Sequence, residues 1–143
     1  MELLKKTMQI GVLDLQKEWE LLHTDNEKYE RYSLLIKLAA IACATILVVF
    51  STNWLLSAMI IIVLWGQEAI WKTFQDRLCD RIKFVEGALS SDQKPLPDAF
   101  QFYSEWSKNR PSTVGTIMEY AKSALRPTVA YPYLVLMGVV VVL

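Results

Sequence analysis

Two apolar blocks separated by only three residues constrain this chain more than any other feature. Leu34 to Phe50 carries a single charge, Lys37, and Trp54 to Gly66 carries none; Ser51, Thr52 and Asn53 join them. At about 1.5 Å per residue the first block spans roughly 26 Å as a helix, so its flanking residues complete a hydrocarbon core of about 30 Å. A run such as Ala39 through Val49 offers water no polar face, as a helix of a soluble bundle must. The chain therefore reads as an all-α integral membrane protein, a long antiparallel hairpin of two transmembrane helices.

The aromatics fit that placement. Tyr29 and Tyr32 precede the first block, Trp54 opens the second, and Trp65 and Trp71 close it, as two interfacial belts would. Charge sets the orientation. The 15 Lys and Arg balance the 15 Asp and Glu, so no overall basic field points to nucleic acid. All of the cations lie before residue 38 or after residue 71. The positive-inside rule then puts the amino terminus and the segment after Trp71 in the cytoplasm and the turn outside. Lys5 and Lys6 are followed by a short apolar run broken by Asp14 with no small-residue cleavage site, so the first membrane helix itself serves as insertion signal. Cys43 and Cys79 fall in different compartments, and no disulfide is expected.

Before the membrane, Met8, Val12, Leu15, Trp19, Leu22, Asn26, Tyr29, Ser33 and Ile36 alternate spacings of four and three, the seam of a coiled stem. No proline interrupts residues 2 to 50, which predicts one helix from the cytoplasm through the bilayer. Trp71, Phe74, Leu78, Ile82, Val85 and Leu89 carry the second helix to about Leu89, after which Gly87, Ser90 and Ser91 weaken it and Pro95 and Pro97 end it. Folding about Thr52 pairs positions whose numbers sum to about 104. That register sets Lys37 near Gln67 and Glu68, an inter-helix ion pair with headgroup snorkelling as the alternative, and sets Glu27 opposite Arg77.

The expected layout is a cytoplasmic amino-terminal helix at 1–33, a first span at 34–50, the outer turn at 51–53, a second span at 54–71, its cytoplasmic continuation at 72–90, short cytoplasmic or interfacial helices at 91–127, and a third span or membrane-embedded tail at 128–143. Asp98 and Gln101 resemble a capping box opening a helix to Lys108 that bears Phe100, Phe102, Tyr103 and Trp106, rings suited to docking on the stem, the membrane surface or a partner. From Ser112 to Leu125, Val114, Ile117, Met118, Ala121 and Leu125 share one side, an amphipathic approach to the membrane. Pro127 suits the first turn of a last helix. Counted from Thr128 this helix reaches only about 24 Å, a full span or a re-entrant segment.

Chemistry-bearing patterns are scarce. The five glycines are scattered and form no phosphate loop. His23 has no second ligand at zinc spacing. The apolar blocks hold no carboxylate or histidine, which intramembrane hydrolysis or proton carriage needs. Asp76 and Asp80 stand among Arg77, Arg81 and Lys83, a charged, solvated face; with Lys72 these cations suit anionic lipid heads. No enzyme, cofactor, metal or small-molecule substrate is expected. Ala39, Ala40, Cys43 and Ala44 form a small-residue packing face for the second helix or for a neighbouring subunit.

The layout of stem, turn and stem over about residues 8 to 90, with the stretch Trp65-Gly66-Gln67-Glu68-Ala69-Ile70-Trp71, resembles small bacterial two-helix membrane effectors of the SLATT kind; the resemblance implies a membrane-disrupting or pore-forming effector of the bacterial inner (cytoplasmic) membrane. The hairpin is also similar to the mitochondrial calcium uniporter pore, but Phe50 to Leu55 lacks the acidic residues that such a pore mouth carries. The expected function is a self-assembling membrane scaffold or a pore-forming component lined by Thr45, Ser51, Thr52, Asn53 and Ser57. The alternative is an accessory or regulatory subunit of a larger membrane complex. The partners expected are lipid, further copies of the chain or other membrane subunits.

Overall fold

The computed structural model describes residues 2–50, 53–90 and 96–142. Among them lie five α-helices and no strand: α1 (Glu2–Val49), α2 (Trp54–Ser90), α3 (Phe102–Lys108), α4 (Thr113–Ala124) and α5 (Pro127–Val142). Helix α1 runs unbroken because nothing in it is proline and Gly11 is its one glycine, at a cost of about 1 kcal/mol in helix propensity. Asn53 starts α2: its side-chain oxygen accepts the Leu55 N–H at 2.9 Å and its carbonyl accepts the Ser57 N–H at 3.1 Å. Ser51 and Thr52, the expected tip, and Ser91 and Pro95 of the expected helix end lie outside the described residues. Helices α1 and α2 are each long and apolar enough to cross a membrane.

The chain divides into two compact units. The first joins Met1–Lys28 to Gln75–Pro111. Its α1 and α2 segments meet along the seam: Leu15, Leu22, Leu78, Ile82 and Val85 are buried, Val12, Trp19 and Asn26 partly so, and Met8 is exposed at the edge. The polar seam residue Asn26 is satisfied there, its side-chain oxygen accepting from Gln75 Nε2 at 3.1 Å and Cys79 Sγ at 3.3 Å. Trp19 donates Nε1–H to Glu86 at 2.9 Å and stacks on His23, whose ring centroid lies 5.0 Å away. His23 is thereby a surface residue, 3.9 Å from Glu27.

Helix α3 begins four residues later than the capping-box spacing predicts, at Phe102, with Gln101 before it and no side-chain cap. Tertiary bonds claim the residues that would have formed that first turn. The Asp98 carbonyl accepts from Arg81 Nη2 at 3.2 Å, and Phe100, at a φ of 60°, gives its N–H to Glu18 Oε2 at 2.9 Å. A phenylalanine in this left-handed region costs about 1–2 kcal/mol, which the charge-assisted bond offsets.

The second unit joins Tyr29–Phe74 to Ser112–Leu143. Its core is Ala40 and Ala44 from α1, Ile61 from α2, and Tyr133 and Val140 from α5, flanked by Val48, Leu64, Trp65, Leu136 and Met137. Small side chains on α1 let the larger ones of the neighbouring helices approach closely. The interfacial aromatics cluster: Trp71 donates to the Tyr29 carbonyl at 3.1 Å and packs against the rings of Tyr29 and Tyr32. Phe74 departs from its expected stripe and is exposed, while the adjacent Thr73 is buried against Ser123, the hydroxyls 2.8 Å apart.

Ser112 caps α4 by accepting the Gly115 N–H at 3.2 Å. Helices α4 and α5 then meet at a 70° bend, so the carboxy-terminal apolar run is not a straight continuation of the amphipathic helix before it. That helix faces the opposite way from one in a soluble fold. Val114, Ile117, Met118 and Leu125 are exposed, whereas Ser123 is buried.

Candidate functional site

Among the described residues, each unit buries one carboxylate. In the first unit Glu18 and Arg81 form a two-pronged pair, Nε to Oε1 at 2.8 Å and Nη2 to Oε2 at 3.1 Å, with both side chains buried. The Phe100 N–H adds a third donor to Glu18, and the Arg81 guanidinium lies 5.1 Å from the Phe84 ring. Arg81 alone departs from the expected charged, solvated face, on which Asp80 and Lys83 are exposed: it is buried, with Glu18 and the Asp98 carbonyl as its acceptors. Nothing in the spacing marks Glu18, which sits beside the seam rather than on it.

Around Arg81 a groove of about 610 Å³ is bordered by Phe84, Asp98, Phe102, Trp106 and Lys108. Trp106 sits under the guanidinium groups of Arg77 and Arg110, at 5.0 and 5.3 Å, a favourable cation–π arrangement. Its Nε1 is buried without a hydrogen-bond partner. Phe102 meets Tyr103 edge-on at 5.1 Å, and Phe100 and Tyr103 are exposed. Of the four rings expected to dock, two therefore face outward. Lys108, bonded to Glu105 at 2.9 Å, holds that exposed carboxylate below its usual range.

In the second unit Glu68 is fully buried on α2. Ser33 Oγ and Lys37 Nζ, one turn apart on α1, each reach its Oε1 at 3.0 Å. The structure thus brings together the two residues that the register places side by side, and adds Ser33, which as a seam position is buried for the same geometric reason. The Lys37 side chain keeps 24% exposure. Among the described residues neither Glu68 Oε2 nor the hydroxyl of Tyr133, itself fully buried, has a partner within hydrogen-bonding geometry. The two groups are close enough to interact electrostatically.

Tyr133 is held in place by its ring. Trp65, one turn before Glu68, stacks parallel to it at 6.1 Å and donates Nε1–H to the Ala124 carbonyl at 3.0 Å, at the α4–α5 junction. In the sequence Tyr133 stands at the head of the apolar run Leu134 to Leu143. Its hydroxyl was the available signal, because a tyrosine set among valines and leucines needs a polar partner.

The small-residue face is divided. Ala40 and Ala44 are buried in the core, Cys43 is partly buried and Ala39 is exposed. Cys43 and Cys79 are not joined in a disulfide, and among the described residues no group of three His, Cys, Asp or Glu is arranged to hold a metal ion. What remains is a buried, hydrogen-bonding and proton-bearing cluster of Ser33, Lys37, Glu68 and Tyr133. Comparison with protein-family models, with curated proteins and with solved structures finds no match to this chain.

Proposed function

We propose that the protein is an integral membrane scaffold: α1 and α2 cross the bilayer as a hairpin with the 51–53 turn outside, and copies associate through the stem that the hairpin extends into the cytoplasm. The observation that carries the membrane placement is the reversed burial of the second unit. Leu34, Leu35, Leu38, Ile41, Leu55, Met59, Ile62 and Val63 are exposed along with the apolar side of α4, while Glu68, Thr73 and Ser123 are buried. Lipid covers such a surface at no cost; water does not. With the 70° bend, α4 lies along the headgroups and α5 dips into the bilayer. A cysteine placed at Asn53, labelled only from the outer side of intact membranes, tests the orientation; labelling only from the inner side, or equally from both, overturns it.

Self-association rests on a different surface. Leu3, Ile10, Leu13 and Leu21 are exposed in the first unit, and at 3.6 residues per turn they lie on the side of α1 opposite the buried seam. In the cytoplasm no lipid covers that stripe, so a second stem is its natural cover. Paired substitutions Ile10→Glu and Leu21→Glu are expected to convert oligomers in nanodiscs to monomers with helical content unchanged; a wild-type protein that is monomeric in crosslinking and in mass photometry overturns the assembly.

A scaffold is favoured over a pore by the fate of the polar residues in the apolar segments. Thr45 bonds the Ile41 carbonyl at 2.9 Å, and Ser57 is buried with its hydroxyl 3.3 Å from the Asn53 carbonyl. Neither hydroxyl is left to line a water path. Flux through liposomes carrying the purified oligomer would reverse that preference. The exposed rings of Phe100 and Tyr103 support the second reading, an accessory subunit that docks these rings on a larger complex.

A further inference from the structure

In the first unit the Trp106 ring gathers hydrogen-bond donors. The guanidinium groups of Arg77 and Arg110 lie 5.0 and 5.3 Å from its centroid, and its own Nε1 is buried without a partner. Arg77 has contacts elsewhere as well. Among the described residues no hydrogen bond or ion pair engages the Arg110 guanidinium, which the ring alone holds. An arginine stacked on a ring keeps its planar fork of N–H groups in place, so little side-chain freedom is lost when that fork meets an anion. The neighbouring cations are committed, Arg81 to Glu18, Lys83 to Asp80 and Lys108 to Glu105. Those pairs also neutralise three of the nearby carboxylates and leave Asp98 against Arg77 and Arg110, a net positive balance.

Trp106 stands in the wall of the groove of about 610 Å³, a volume within the range of cavities that hold small organic molecules. Phe84, Pro97 and Phe102 give the groove apolar faces, and Gln101 and Asn109 add amides. We propose that this groove binds a phosphate ester: the phosphate oxygens accept from Arg110 and Arg77 at the Trp106 ring, and an apolar or aromatic body lies against Phe84 and Phe102. A phosphate answers both features of the site, because it is an anion and its oxygens accept hydrogen bonds from the flat fork of an arginine. A neutral body would fill the apolar faces and leave the guanidinium charge unmatched. Binding is non-covalent, and no bond to phosphorus is made or broken. The ester is either a soluble molecule with a planar ring or an anionic lipid whose phosphate reaches the same arginines.

Calorimetric titration of the full chain in phosphatidylcholine nanodiscs tests the site, with adenosine monophosphate, adenosine and inorganic phosphate as probes. The monophosphate is expected to saturate and to bind more tightly than either fragment. R110Q is expected to weaken it about 10-fold or more, as loss of a charge-assisted hydrogen bond does. Arg110 is exposed, so this variant keeps the fold. R31Q makes the same charge change at an exposed position of the second unit and is expected to leave the affinity unchanged. Discs in which part of the lipid is phosphatidylglycerol separate the two sources: a lipid ligand lowers the apparent affinity of wild type for the monophosphate, and a soluble one leaves it as it was. A monophosphate that does not saturate in either disc, that binds no more tightly than inorganic phosphate, or that binds R110Q as well as R31Q overturns the site.

Discussion

Glu18 and Glu68 are both buried carboxylates, on different helices and in different units, and they are satisfied in opposite ways. Glu18 receives three hydrogen bonds spread over both oxygens, from Arg81 twice and from the Phe100 backbone. Glu68 receives two, both on one oxygen, and its other oxygen has the nearby Tyr133 hydroxyl as its neighbour. A saturated pair in a low-dielectric interior is rigid, because any change of partner or protonation leaves a charge uncompensated. A half-satisfied carboxylate has room for one more donor. The first unit thus holds its carboxylate as a fastening, and the second holds its own in reserve.

The sharpest way to break that contrast is Arg81→Met. It strands the Glu18 charge and is expected to cost about 3–5 kcal/mol, seen as loss of hydrogen-exchange protection in residues 2–28. The double variant Glu18→Leu, Arg81→Met removes both charges and should recover most of the loss; a double variant as unstable as the single one would refute the fastening reading. A second contrast sets seam against outer face. Leu15→Ala should cost about 2–5 kcal/mol in a denaturant titration, because Leu15 is completely buried. Ile41→Ala, at an exposed position of the second unit, should change stability by no more than about 0.5 kcal/mol in detergent or lipid. Similar costs at the two positions would mean that the exposed apolar face of α1 is covered by protein.

Smaller effects test the helix ends and interiors. Asn53→Ala removes the side-chain oxygen that receives the Leu55 N–H and should cost about 1 kcal/mol, read as faster exchange of the first α2 amides. Gly11→Ala should stabilise the first unit by about 0.5–1 kcal/mol through helix propensity, since the added methyl would come no nearer than 3.7 Å to Leu96. A destabilising alanine at Gly11 would show that the helix is bent or crowded there by a partner.

Much of the fold is legible in the residue order because it depends on short-range physics. Proline-free stretches, the four-three spacing of the seam, and the capping groups Asn53 and Ser112 all act within one or two turns, and α1, α2, α4 and α5 begin and end within about two residues of where those signals put them. Lys37 beside Glu68 was legible for a related reason: a connection only three residues long in the sequence ties the numbering of one helix to that of the other. Contacts such as Trp19–Glu86 keep that register, whereas Glu18–Arg81 and Tyr29–Trp71 sit about one helical turn away from it. The expected pair Glu27 and Arg77 takes other company, His23 at 3.9 Å and the Trp106 ring at 5.0 Å.

The sequence by itself determined that this chain is helical, that two of its helices are long and apolar enough for a bilayer, where they start and stop, and which stripe of α1 turns inward. Only the tertiary structure decided that Arg81 is buried, that a capping-box start gives way to a left-handed Phe100, that α4 turns its polar side in, and that Tyr133 comes to Glu68. The physical reason is the range of the forces. Helix propensity, capping and amphipathic period are summed along the chain, so they can be read there. The fate of a buried charge depends on which donors and acceptors distant segments bring to it, and for Glu18 and Glu68 those segments are separated by 82 residues at Phe100 in one case and lie on a third helix, α5, in the other.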